Sequence, residues 1–97
     1  MDPAYLMNLV GKQVSVSDST NPRFLGVNGT IIDETKNTIS IASGAGRVMI
    51  PKETCRFRIT SGSTQAELLG RAIMFRQEDR IKEYRKIGRE IEREVGR

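Results

Sequence analysis

The stretch Asp33 to Ala42, DETKNTISIA, joins a hairpin turn to a strand. Asn37 can take a left-handed conformation in the turn, and the residues after it alternate between apolar and polar with the period of a half-buried strand. The segment before the turn, Phe24 to Asp33, is predicted as the paired strand. Gly26 and Gly29 within that segment indicate the sharp bends that a small barrel needs in order to close.

Further strand signals lie on both sides of this hairpin. Gln13 to Ser17, QVSVS, alternates in the same way before it, and Arg47 to Ile50, RVMI, and Arg56 to Thr60, RFRIT, follow it. The run Ala66 to Phe75 is compatible with either a strand or a helix. Short strands at about ten-residue spacing, separated by tight turns, predict an antiparallel barrel that is closed or nearly closed. The fold class is therefore mainly β, with five to six strands.

Helical signals stand at both ends of the chain. Asp2 can cap free backbone N–H groups and Pro3 tolerates the first helical position, so a short helix is predicted over residues 1–10. Residues 11–75 would form the barrel. Apolar residues at helical spacing and opposite charges four positions apart predict a long amphipathic helix over residues 76–97. The chain is thus expected to form one domain overall.

The composition limits the chemistry that the chain can perform. Its single cysteine, Cys55, cannot close an internal disulfide, and with no histidine the usual zinc sites cannot be built. Nuclease chemistry would then need carboxylates clustered around metal ions, whereas Asp33 and Glu34 are adjacent turn residues that should diverge. We therefore predict no catalytic residue and no metal site.

The same composition bears on location and on the kind of partner. No apolar run reaches the roughly 20 residues that span a bilayer, and no secretory signal is visible, so a cytoplasmic protein without membrane contact is expected. Sixteen Lys and Arg against twelve Asp and Glu give a net charge of +4, and residues 71–97 hold nine basic residues against six acidic ones. This balance favours a polyanionic partner. Because there are only two Tyr, three Phe and no Trp, phosphate and shape contacts are favoured over base stacking.

Several short motifs occur in order along most of the chain. They are Leu9-Val10-Gly11-Lys12, Ser19 to Pro22, Gly26, Gly29, DETKNT from Asp33, Pro51-Lys52, Phe57, Leu69-Gly70-Arg71 and Glu78 to Lys82. In this combination they closely resemble the archaeal ribonuclease P protein component 1 family. The chain departs from that family at Gln77, where a proline commonly fixes the start of the helix, so the helix could reach back toward Phe75.

The resemblance implies an Sm-like barrel with extra terminal helices. It also implies that the chain binds the catalytic RNA of ribonuclease P, which removes the 5′ leader from precursor tRNA with magnesium held by the RNA. The chain itself would be a non-catalytic subunit without a cofactor, and it would meet precursor tRNA only indirectly. Members of the family also pair with a second small, zinc-binding protein subunit, largely through their terminal elements.

Two sets of residues are the candidates for these contacts. Basic residues at turns, on outer strand faces and at the helix start can reach phosphates, and those predicted to bind RNA are Lys12, Arg23, Lys36, Arg47, Lys52, Arg56, Arg58, Arg76, Arg80 and Lys82. The terminal helices carry apolar stripes that should dock on the partner subunit, and their residues are Tyr5, Leu6, Leu9, Ile81, Tyr84, Ile87 and Ile91. A competing arrangement packs the C-terminal helix on its own barrel.

Two other classes share the basic barrel. An Sm-like RNA chaperone would assemble as a ring through its edge strands. A barrel associated with the ribosome or with transcription would bind RNA or protein as a passive module. Identification of co-purified RNA separates these classes from the ribonuclease P subunit.

Overall fold

The computed structural model describes residues 2–44 and 46–95. Within them, strands form one antiparallel sheet, and in chain order they are β1 Gln13–Ser19, β2 Asn28–Glu34, β3 Thr38–Ser43, β4 Gly46–Pro51, β5 Cys55–Ser61 and β6 Thr64–Leu69. The order across the sheet is β4-β3-β2-β1-β5-β6, so β1 pairs with β2 on one side and with β5 on the other. The predicted mainly β class is confirmed.

One apolar core lies against every strand of this sheet. Its strand residues are Val14, Val16, Ile31, Ile39, Ile41, Ile50, Cys55, Phe57, Ile59, Leu68 and Leu69. Since strands lie about 4.8 Å apart, a flat sheet of this size would be too wide for one shared core, and the sheet must curl around it. In the part of the chain that the structure describes, β4 and β6 are unpaired edges, so the sheet is open. Of the two predicted alternatives, full closure is excluded for those residues because β4 and β6 do not pair, and the Sm-like detail stays a prediction.

The bends of the sheet are located at bulges and at one close backbone approach. Register shifts occur between Val16 and Asp18 in β1 and between Ile31 and Asp33 in β2, and bulges of this kind increase local twist. A Cβ atom on Gly29 would lie 2.0 Å from the carbonyl oxygen of Ala42 on β3. Only glycine therefore permits this approach of β2 to β3.

The second strand begins later than predicted. Phe24 N donates to Asn21 O at 3.1 Å and Val27 N donates to Phe24 O at 3.1 Å, so consecutive turns occupy this segment and β2 starts at Asn28. These local bonds satisfy backbone groups that a strand would have paired with its neighbour. The start predicted at Phe24 is therefore wrong.

The N-terminal helix is shorter than predicted. A single 3₁₀ helix spans Pro3–Leu6, and the Asp2 carboxylate accepts from Ala4 N at 2.9 Å, as the capping signal predicts. Tyr5 is buried in the core, and its hydroxyl oxygen accepts a hydrogen bond from Leu69 N at 2.8 Å. Burial raises the pKa of this tyrosine above its ordinary value. The N-terminal segment is thus attached to the end of β6.

The C-terminal part of the chain contains three short helical elements. The sequence left open whether residues 66–75 form a strand or a helix. They contain the end of β6 and then a second 3₁₀ helix, Gly70–Ile73. Helix α1 spans Gln77–Lys82 and helix α2 spans Tyr84–Val95, so the single long helix is wrong. Residues 96 and 97 of that predicted helix lie outside the described residues.

Glu83 separates the two C-terminal helices, with φ −102° and ψ 21°. The break lets α1 pack on the N-terminal 3₁₀ helix while α2 packs on the second 3₁₀ helix. Across residues 2–44 and 46–95, no helix is long and apolar enough to span a bilayer.

Candidate nucleic-acid interface

Three charged side chains meet in the interior of the protein. Lys52 Nζ lies 2.8 Å from Glu34 Oε2, and Arg80 Nη2 lies 3.0 Å from Glu34 Oε1. The side chains of Lys52 and Arg80 are fully buried, and that of Glu34 is 1% exposed. Lys52 Nζ also lies within 3.0 Å of the carbonyl oxygens of Thr35, Ile73 and Phe75. We call the three side chains the Glu34 triad.

The electrostatics of the triad follow from its burial. Desolvation lowers the pKa of Lys52, and the hydrogen bond and charge of Glu34 oppose that shift. Desolvation likewise lowers the pKa of Arg80, again against the charge of Glu34. One carboxylate thus faces two cations in an environment where an unpaired charge is costly.

The triad connects distant parts of the chain. Arg80 Nη1 donates to Tyr5 O at 2.9 Å and Arg80 Nη2 donates to Met7 O at 2.8 Å, so helix α1 holds the N-terminal segment. Lys52, which follows β4, reaches the backbone on both sides of Met74. The role of this cluster is therefore to fasten the terminal elements to the sheet.

This geometry corrects three sequence interpretations. Lys52 and Arg80 were predicted to contact RNA, but their charged groups are fully buried and already bonded, so they cannot reach a phosphate in this structure. Glu34 was interpreted as a turn residue, but it ends β2 and its carboxylate is buried between the two cations. The sequence offered no signal for this burial beyond the polar character of the three residues.

The other predicted RNA residues lie at the surface. Those with exposed side chains are Arg23, Lys36, Arg47, Arg58, Arg76 and Lys82, and those that are half-buried are Lys12 and Arg56. Arg56 and Arg58 share the face of β5 opposite its core residues, as the strand period predicts. Arg56 donates to Glu94 of α2 at 2.8 Å, so its cation is partly neutralised. Arg47 Nη2 lies 4.0 Å from Asp33 Oδ2.

Only some of these cations are brought together by the fold. Lys36 and Arg76 line one cleft of about 460 Å³ with Phe75, and Asp79 and Glu83 are its acidic members. We call it the Lys36 cleft. Its basic residues come from the β2–β3 hairpin and from the residue before α1, which are far apart in the sequence.

A second cleft, which has an excess of basic residues, was not predicted from the sequence. It has a volume of about 570 Å³ and lies between α2 and the segment that follows β6. Its lining residues are Glu53, Arg71, Met74, Phe75, Lys86, Arg89, Glu90 and Arg93. We call it the α2 cleft. The available signal was the spacing of Lys86, Arg89 and Arg93, which places them on one helical face.

The apolar stripes are mostly used within the chain itself. Tyr5, Leu9 and Ile87 are buried in the protein's own core, so docking of these three on a partner is wrong for this structure. Leu6 and Ile91 are half-buried against the same core. By contrast, Ile81 is 60% exposed and Tyr84 is 46% exposed. The C-terminal helices therefore pack within the chain itself, on its 3₁₀ helices and core, which is close to the competing arrangement, and they leave Ile81 and Tyr84 exposed at the α1–α2 junction.

Among residues 2–44 and 46–95, no three side chains of Cys, Asp or Glu come together as a group that could hold a metal ion.

Comparison with known proteins indicates the same family as the sequence motifs. Residues 5–83 match the sequence pattern of the family described as ribonuclease P/MRP, subunit p29. A protein of Thermoplasma acidophilum named ribonuclease P protein component 1 is 40% identical over 89 residues, covering 92% of this chain and 98% of that protein. A protein of Pyrococcus furiosus with the same name is 36% identical over 75 residues, covering 76% of this chain and 59% of that protein.

A solved structure agrees with the sheet. It is described as Mth11, a homologue of the human RNase P protein Rpp29, and it matches 75% of this chain and 96% of its own chain with a TM-score of 0.58. The two sequences are 29% identical over the match. The resemblance found from the motifs is thereby confirmed. With most of its length matched in sequence and its sheet matched in structure, the chain belongs to the ribonuclease P/MRP subunit p29 family, together with the archaeal ribonuclease P protein component 1 proteins.

Proposed function

We propose that this chain is a non-catalytic RNA-binding subunit of ribonuclease P, which supports the catalytic RNA while the 5′ leader of precursor tRNA is removed. The proposal rests on one observation: the chain belongs to this family and has many exposed Lys and Arg side chains. Each cation that neutralises a phosphate releases condensed counterions, so a basic surface of this kind favours binding to a folded RNA. The ring-forming Sm-like chaperone is not favoured by the relatives.

In this proposal the RNA holds the catalytic magnesium and the protein supplies positive charge. The chain has no histidine, and the carboxylate of Glu34 is occupied by Lys52 and Arg80. A basic protein can offset the repulsion between phosphates where RNA segments pack closely, which otherwise requires a high concentration of magnesium. Precursor tRNA would be reached through the catalytic RNA. In an archaeal cell this work takes place in the cytoplasm.

Reconstitution tests whether the RNA performs the cleavage and the protein only supports it. The purified chain alone should cleave no precursor tRNA, because the chemistry resides in the RNA. Added to the catalytic RNA and the other subunits, it should lower the magnesium concentration at half-maximal single-turnover cleavage. Cleavage by the chain without RNA would place catalysis in the protein, and an unchanged magnesium requirement would refute the supporting role.

We further propose that the second, zinc-binding protein subunit docks at the α1–α2 junction. Ile81 and Tyr84 are large, exposed and close in sequence, and an apolar pair of this kind suits the centre of a protein interface. Changing both to serine should weaken assembly with that subunit by about 5-fold or more, since interface anchors typically contribute over 1 kcal/mol.

A matched surface change controls for lost apolar area. Leu25 is 55% exposed and lies in the turns before β2, so Leu25→Ser should leave assembly unchanged. Isothermal titration with the purified subunit measures both variants. Equal affinities for the parent chain and the Ile81→Ser, Tyr84→Ser variant would show that the subunit docks elsewhere.

A further inference from the structure

We propose that the α2 cleft holds an unpaired segment of RNA, with phosphates on the cations of α2 and a base on Phe75. The inference rests on the proposed function, because it names where and how that RNA is held. Four cations line the cleft against two carboxylates, so its charge favours a polyanion. Three of those cations, Lys86, Arg89 and Arg93, come from a single face of α2.

The three α2 cations of the cleft are available to an incoming phosphate, whereas Arg71 is paired with Glu94. Lys86 Nζ lies 3.2 Å from Glu83 Oε2, and Arg93 Nη1 lies 2.9 Å from Glu90 Oε1. Each pair joins residues three positions apart at the surface, and surface ion pairs of this kind contribute little stability. Arg89 is exposed and forms no ion pair with any residue in the ranges 2–44 and 46–95. Phosphate can therefore replace the carboxylates without exposing a buried charge.

The apolar part of the cleft indicates a single strand. Met74 and Phe75 are half-buried and line the cleft between its cations. Aromatic side chains bind unpaired bases by stacking, whereas a base within a duplex is already stacked and offers its edges only. The volume of about 570 Å³ is in the usual range for small-molecule sites, so a nucleotide can be accommodated.

Phe75 also shows the direction that the strand would take. The same residue lines the Lys36 cleft, where Lys36 and Arg76 supply two further cations beside Asp79 and Glu83. The two clefts therefore meet at Phe75. An RNA strand that passes from the face of α2 across this ring reaches Lys36 and Arg76 next, which gives a continuous path with cations on both sides of one aromatic residue.

Charge-matched variants test the site. We expect the triple change Lys86→Gln, Arg89→Gln, Arg93→Gln to weaken binding to the catalytic RNA of ribonuclease P at least about 10-fold, and to reduce the slope of log affinity against log salt by about 2, the loss expected for three phosphate contacts. The matched control is the single change Arg85→Gln, compared with the single change Arg89→Gln, because Arg85 is exposed on the same helix and lines neither cleft. It should weaken binding less than about 3-fold.

A second arm tests the base contact and does not depend on the triple variant being folded. Phe75→Leu keeps an apolar side chain but removes the ring, and it should weaken binding of an oligouridine of about 12 nucleotides by about 5-fold or more, the lower limit for one stacked base. Binding of a duplex of the same length should change less. Single Arg89→Gln, which breaks no ion pair to a described residue, should reduce the salt slope by about 0.7.

The outcomes separate this site from the proposed function. If the parent chain binds no RNA, both fail. If it binds RNA and the Arg89→Gln and Arg85→Gln variants lose affinity equally, or if Phe75→Leu binds oligouridine as the parent does, RNA binding stands and this site is wrong. If the α2 variant binds RNA normally but no longer joins the other protein subunits, an acidic protein segment occupies the cleft and the inference is overturned.

Discussion

Replacing Glu34 by glutamine should lower the free energy of unfolding by about 3–5 kcal/mol, because the change leaves two buried cations without a counter-charge. The amide keeps the size of the side chain, so the loss reports on charge and not on a cavity. Lys52 and Arg80 cannot turn to solvent without breaking their bonds to the backbone. Urea denaturation followed by circular dichroism measures the effect.

The neighbouring carboxylate provides the control for Glu34. Asp33 has a side chain that is 56% exposed and lies 4.0 Å from Arg47, so Asp33→Asn should change the free energy of unfolding by less than about 0.5 kcal/mol. Amide exchange should also become faster in the N-terminal segment of the Glu34→Gln protein, because Arg80 holds the carbonyls of Tyr5 and Met7. A Glu34→Gln protein as stable as the parent would show that the triad is not a structural anchor.

Gly70→Ala should destabilise the protein by about 2 kcal/mol or more, in the range found for overpacked cores. A Cβ atom at this position would lie 1.8 Å from the carbonyl oxygen of Lys52 and 2.5 Å from that of Cys55. Both neighbours are backbone atoms, one just after β4 and one at the start of β5, so relief requires the chain to move. The same displacement would disturb the bonds of Lys52 to the carbonyls of Ile73 and Phe75.

Gly88 provides the matched control for this change. It lies within α2, and nothing is within 4 Å of a Cβ atom added there. Since alanine favours helix over glycine, Gly88→Ala should raise the free energy of unfolding by about 0.5–1 kcal/mol. Opposite signs for the two Gly→Ala changes are the expected result. A stable Gly70→Ala protein would show that the junction between β4 and β5 is free to adjust.

The strands were predictable because their signal is local. The two-residue period places alternate side chains on opposite faces, and Val14, Val16, Ile39 and Ile41 are buried as that period requires. The capping signal at Asp2 and Pro3 was predictable for the same reason. Both signals lie within short stretches of the sequence, so each can be recognised without knowing the tertiary contacts.

The length of the terminal elements was less predictable. The apolar spacing of Ile81, Tyr84, Ile87 and Ile91 indicated a helix, but it did not indicate which of these side chains would be buried. Ile87 enters the core while Ile81 stays exposed, because the break at Glu83 directs α1 and α2 onto different parts of the protein. That break depends on what each helix packs against, which lies elsewhere in the sequence.

The polar core and the basic clefts depend on contacts between distant residues. Glu34 is 18 residues from Lys52 and 46 from Arg80, and no local pattern distinguishes these buried charges from solvated ones. Arg71 likewise joins the cations of α2 only because the segment after β6 folds back against that helix. Composition and period therefore indicated a basic β protein, and the ordered motifs carried the resemblance to its family. Which of its charges are buried and which are exposed was decided by packing, because burial depends on neighbours that the chain brings together only when it folds.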